Sequence, residues 1–171
     1  MALIRLNNQS ISSVTALPSG IDTGKIIQHT SVQGNNTPTA TSSTSYVATA
    51  LQHNITPTSA SNKVLVMFNF GVETRGAQGG SYYWTKTNAR IYRNNTDILV
   101  SNRINASAGA QVPAYAYGYQ ITQPQLTYLD SPNTTSSTNY RLYIDFEELQ
   151  STGGFHSAYG YYNITLIELE P

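Results

Sequence analysis

The chain contains no cysteine. Disulfides, thiolate metal sites and a cysteine nucleophile are therefore excluded together. A domain of this kind is held by its apolar core, by partners, or by both. Charge is also scarce: only 11% of the residues are charged, and nine Lys and Arg balance nine Asp and Glu. The basic residues are scattered, with no run of three. Neutralising a phosphate backbone needs them clustered, so nucleic-acid binding is not expected. No apolar run approaches the roughly 18 residues of a membrane-spanning helix. The opening MALIRLNNQS lacks the basic start and apolar stretch of a secretory signal. Membrane insertion is not expected.

What the chain does have is uncharged polarity. Ser, Thr, Asn and Gln make up more than a third of its 171 residues, beside 13 Tyr and 12 Gly. Thr and Tyr favour pleated surfaces, while Asn, Ser and Gly favour turns. Low charge leaves little repulsion between copies, which suits self-association. The length fits one domain with a full core.

Two regions separate. Residues 1–24 are polar, without strand or helix periodicity, and contain the turn signals Pro18-Ser19-Gly20 and Thr23-Gly24. They read as an extended attachment arm, with Leu3, Ile4, Leu6, Ile11, Val14, Leu17 and Ile21 as the apolar groups for a partner. Ordering such an arm costs roughly 1–2 kcal/mol of backbone entropy per residue. Burying those side chains on another molecule can offset it.

Residues 25–171 read as a β domain. Strands are expected at 25–32, 45–49, 51–55, 63–72, 81–93, 97–100, 114–129, 140–147 and 161–169, with turn residues between them. GNNTP at 34–38 is expected to end the first, and Gly118 or Pro124 to bend the long Tyr-rich one. The run KVLVMFNFGV is almost continuously apolar, so both its faces are expected to be covered. In YRLYIDFE, alternation sends Leu142, Ile144 and Phe146 inward and Arg141, Tyr143, Asp145 and Glu147 out to water. Tyr162, Ile164, Leu166 and Glu168 share one face of the last strand. Asn94-Asn95-Thr96 is a hairpin signal. About eight strands without a helix predict an all-β protein, an antiparallel jelly-roll-like β-sandwich with an N-terminal arm. The loop-strand segments 55–66 and 129–142 look alike. Similar loop composition accounts for this more simply than pseudo-symmetry.

Catalytic chemistry is hard to find. His29, His53 and His156 are far apart, with no metal-ligand spacing between them. No G-x-S-x-G elbow marks a serine nucleophile. Asp145, Glu147 and Glu148 are the densest acidic cluster, but the first two share a face expected to be solvated. The Gly-rich loop GAQGGS at 76–81 lacks a phosphate-binding lysine. No catalytic, cofactor-binding or metal-binding residue is assigned, and an enzyme is not expected. The aromatic clusters are more informative. Tyr82, Trp84, Tyr115, Tyr117, Tyr119 and Tyr161 belong to Tyr-rich stretches suited to a subunit seam or to stacking against a glycan.

Three stretches, MALIRLNNQSISSVTALPSGIDTGKI, ITPTSASNKVLVMF and YLDSPNTTSSTNYRLYI, resemble small tail-fibre-like and virion structural proteins of tailed bacteriophages, notably those of marine and freshwater bacteria. That resemblance implies a virion-surface β-sandwich, assembled in the host cytoplasm, commonly a homotrimer, with the N-terminal segment as attachment. One placement is a capsid decoration (cement) protein anchored to the major capsid protein. The alternative is a tail-fibre or tail-appendage part that meets host-surface glycans. The absence of heptads and shaft repeats favours decoration.

Overall fold

The structure, a computed structural model, describes residues 25–41, 43–75, 83–98, 104–110, 119–148 and 155–170. The expected arm, 1–24, lies outside them. The described residues contain ten strands and no helix: β1 (Ile26–Thr41), β2 (Val47–Ile55), β3 (Lys63–Arg75), β4 (Tyr83–Arg93), β5 (Thr96–Asp97), β6 (Ile104–Ala110), β7 (Tyr119–Thr122), β8 (Gln125–Asp130), β9 (Thr138–Glu148) and β10 (Phe155–Leu169).

Among the described residues every pairing is antiparallel, and the pairs are nested. β1 pairs with β10, β2 with β9, β3 with β7 and β8, and β4 with β5 and β6. The first half of the chain thus lies against the second half as one long hairpin. The hairpin then rolls up, as β10 joins β3 and β9 joins β4. Two sheets result. Sheet A runs β1-β10-β3 with β7 and β8 beside β3, and sheet B runs β2-β9-β4 with β5 and β6 beside β4. Because β7 and β8 pair with successive stretches of β3, and β5 and β6 with successive stretches of β4, each couple fills one strand position. The result is an eight-position jelly roll.

Local sequence explains the joints. Asn94 and Asn95, with φ of 48° and 68°, form the two-residue turn between β4 and β5. Positive φ at both central positions is the twist a tight hairpin needs, and Asn tolerates it. Pro124 breaks the long Tyr-rich segment into β7 and β8, as expected of a residue without an N–H.

Two expectations change. GNNTP does not end the first strand; β1 continues to Thr41 with a bulge between Asn36 and Thr39. Pro38 sits in that bulge on an edge strand, where no ladder bond is forfeited. The stretches 45–49 and 51–55 form one strand, β2. Its register shifts between Ala48 and Gln52, and Thr49 Oγ1 donates to the Leu142 carbonyl there at 2.8 Å.

The inner faces meet in a closed apolar core. Val64, Val66, Phe68, Phe70 and Val72 of β3 face Leu142 and Ile144 of β9, and Ala89 and Ile91 of β4, with Leu126, Ile164 and Leu166 beside them. Leu142 and Ile144 point inward as expected; the side chain of Phe146 lies outside the described residues. Two corrections concern exposure. Asp145 is only 8% exposed and accepts from the Asn88 N–H, so it is not on a wet face. The outer side of β3 is not sealed either: Leu65 and Met67 are half-buried and Asn69 is exposed.

Candidate functional site

Two buried carboxylates mark one end of the sandwich, where loops 56–62 and 131–137 cross side by side between the sheets. The flanking pairs Ile55↔Thr138 and Val64↔Asp130 put the two crossovers together. The similar segments noticed in the sequence are therefore the paired turns of one rolled hairpin.

Glu168 is fully buried. It accepts hydrogen bonds from Gln28 Nε2 (2.6 Å), the Thr58 N–H (2.7 Å), Thr58 Oγ1 (2.9 Å) and Asn62 Nδ2 (2.6 Å). Burial alone would push its carboxyl up. The donated bonds from Asn62, Gln28 and Thr58 outweigh that and hold it below the ordinary glutamate value of 4.5. Asp130 is bridged by Arg93 Nη1 at 2.9 and 3.0 Å and by the Tyr140 hydroxyl at 2.6 Å. Burial, then this bond to Asp130, raises the Tyr140 hydroxyl far above the ordinary phenol value. Both carboxylates are saturated by protein donors. They tie loops to sheets and present no group to a substrate.

The outer face of sheet A is different. Register places His29, Ile167, Leu65 and Leu129 in one row across four strands. Leu129 remains 47% exposed, and Ile26, beside Leu169 at the sheet's end, 61%. Two rows further along, Gln33, Asn163, Asn69 and Gln125 lie side by side. Four strands thus contribute four carboxamides to one line, at strand spacings of about 4.8 Å.

A cleft of about 550 Å³ opens beside that line. It exists because two irregularities coincide at Phe70. The β10–β3 ladder shifts register between Tyr159 and Asn163, and the β7–β8 break falls at Gln123 and Pro124. The Phe70 N–H donates to the Pro124 carbonyl across the gap at 3.3 Å. Gln33, Asn69, Gln123 and Asn163 rim the cleft, Pro124 supplies an apolar wall, and Phe70 and Tyr162, which belong to the core side of the sheet, close it from beneath. Gly34 leaves room for the Tyr162 side chain here, since a Cβ would stand 2.6 Å from its hydroxyl and 2.7 Å from its ring carbon and the side chain would have to shift.

Of the residues singled out in the sequence, Leu3, Ile4, Leu6, Ile11, Val14, Leu17, Ile21, Tyr82, Tyr115 and Tyr117 lie outside the described residues. Trp84 falls on β4 in sheet B, and Tyr119 and Tyr161 on β7 and β10 in sheet A. Their side chains are likewise outside the described part. His29 and His53 do not meet: His29 is exposed on the outer side of sheet A, whereas His53 shares a 2.8 Å hydrogen bond with Thr30 between the sheets, and the side chain of His156 lies outside the described residues. Among the described residues no three His, Cys, Asp or Glu side chains cluster to hold a metal. The carboxamide row was not foreseen. Its one visible signal is Asn69, a polar residue interrupting the run VLVMFNF.

No protein-family model and no curated protein matches the chain. Several of the solved structures it resembles are of a virus. Infectious bursal disease virus Gx strain is 13% identical, covering 85% of this chain and 38% of that one, with a TM-score of 0.37. T=1 particles derived from the same virus are 14% identical over 85% of this chain and 36% of theirs, TM-score 0.40. The Gt strain is 14% identical over 99% and 42%, TM-score 0.36. The chain spans less than half the length of each.

Proposed function

We propose that this chain is a non-enzymatic structural protein of a virus particle. In the finer reading it is a capsid decoration (cement) protein, in which residues 1–24 anchor a trimeric β-sandwich knob to shell proteins. The observation that carries the reading is the strand order. β1-β10-β3-β8 over β2-β9-β4-β6 is the rolled hairpin that viral shell, lectin and cupin domains build on. Fold alone does not assign function, so the surfaces must decide. A jelly roll that works from within needs a hollow between its sheets. Here that space is filled by Phe68, Ile91, Leu142, Ile144, Ile164 and Leu166, all fully buried.

The outside is what remains for use. The row Ile167, Leu65, Leu129, with Met67 beside it, is an apolar strip on a face that is otherwise mostly polar among the described residues, the kind of surface a neighbouring shell protein covers. Chain entry lies at the same end: the Glu170 N–H bonds the Lys25 carbonyl at 2.9 Å, and Ile26 follows. The attachment arm is covalently joined there. In this reading residues 1–24 and the strip both serve attachment, and the sequence resemblance supplies the phage setting. The carboxamide row favours the second placement, on a tail appendage that meets host glycans.

Immunogold microscopy with antibodies to the full chain tests the proposal on particles of the source virus. Label spread evenly over the shell is the expected result. Label confined to the tail selects the appendage. Particles without label overturn the virion assignment.

A further inference from the structure

The geometry points to a binding site for a neutral carbohydrate in the cleft of sheet A, held by the carboxamides of Gln33, Asn69, Gln123 and Asn163. Five observations carry it. The first is charge. Among the described residues no Lys, Arg, Asp or Glu lines the cleft, so none of them offers an anion or a cation a countercharge there. The second is the polar lining. Each carboxamide offers one acceptor oxygen and two N–H donors. Sugar hydroxyls both donate and accept, so a row of amides can be answered by a row of hydroxyls. An apolar ligand would instead strip water from four amides without replacing it.

The third is availability. On sheet B, Asn139 Nδ2 donates to Asn54 Oδ1 at 2.6 Å and to Gln52 Oε1 at 3.3 Å, so those amides satisfy each other. Among the described residues, the Gln33, Asn69 and Gln123 carboxamides make no such bond to another side chain. Asn163 is oriented by the Thr165 hydroxyl, which donates to its Oδ1 at 2.8 Å. The fourth is the wall. Pro124 gives apolar surface for the C–H face of a pyranose, and Tyr162, turned inward beside Gly34 and packed against the core, closes the cleft from beneath. The fifth is position. The register gap itself lies between β10 and β3, which have partners on both sides, so it offers no unpaired ladder to an extended peptide, although the cleft reaches Gln33 on β1 and Gln123 at the β7–β8 break. Its volume, about 550 Å³, lies in the range of small-molecule sites and has room for a short glycan.

The test is a glycan array carrying neutral and sialylated oligosaccharides, probed with the labelled full chain and with the Asn69→Ala/Gln123→Ala variant. Both residues are exposed, so the far-UV circular dichroism melt should be unchanged. The wild type should retain a set of neutral glycans, and the variant should lose at least tenfold in binding to them. Should the double variant melt early, Gln123→Ala alone reads the same loss, at threefold or more. The inference is overturned if the wild type retains no neutral glycan, if it retains only sialylated ones, or if the variant binds as well as the wild type. Immunogold labelling of particles with antibodies to the full chain does not depend on this outcome, so failure of the glycan site and failure of the virion assignment are told apart.

Discussion

Strands β3 and β10 carry two faces with opposite characters. Inward they present Val64, Val66, Phe68, Ile164 and Leu166, all fully buried. Outward they present Leu65, Ile167, Asn69 and Asn163, partly open to solvent. The same backbone ladder serves both, and only the period-two alternation separates them. The inner face therefore sets stability and the outer face sets contacts. Substitutions can break that division or sharpen it.

The largest expected effect is inside. Phe68→Ala leaves a cavity in a closed core and should cost about 3–5 kcal/mol in chemical denaturation. A loss under about 1 kcal/mol would mean the space between the sheets is not tightly filled.

Tyr140→Phe comes next. It removes the hydroxyl that bonds buried Asp130 while leaving the ring in place, and should cost about 1.5–3 kcal/mol. Arg93 stays on the carboxylate, so the fold should persist.

Glu168 sharpens the contrast through pH. Its folded carboxyl lies below the unfolded value, so its network stabilises the fold at pH values above the ordinary 4.5. That stabilisation is lost as pH falls through the folded value. Melting temperatures of wild type and Glu168→Gln should therefore differ most near neutral pH and converge on acidification. A difference that stays constant down to pH 3 would contradict this.

The smallest effect belongs to Gly34→Ala. The added methyl meets the far end of the Tyr162 side chain, which can swing toward the cleft. About 1 kcal/mol is expected, the low end for overpacking. A changed tyrosine environment in the near-ultraviolet dichroism should accompany it.

Much of the architecture was legible in the sequence because period two is a strong signal. RLYI placed Leu142 and Ile144 inward, and Asn94-Asn95 announced its hairpin. Pro124 announced a break. Other features depended on partners that no local pattern names. GNNTP looks like a terminator, yet β10 pairs alongside it and turns the break into a bulge. Asp145 looks solvated because alternation is blind to what covers a sheet. Glu168 looked like one more residue on an apolar face, and only the crossing loop brings it Thr58 and Asn62. The carboxamide row was illegible for the same reason: Gln33, Asn69, Gln125 and Asn163 are dispersed in sequence and meet only through the registers of three ladders.

The central claim is that the outer face of sheet A, and not the interior, is the working surface of this protein. It is tested most directly with Leu65→Ser/Leu129→Ser, by measuring the melt of the purified variant and its copy number on particles grown in its presence. The account predicts a melt within about 1 kcal/mol of wild type and a copy number reduced at least tenfold. A folded variant retained at the wild-type copy number would contradict it.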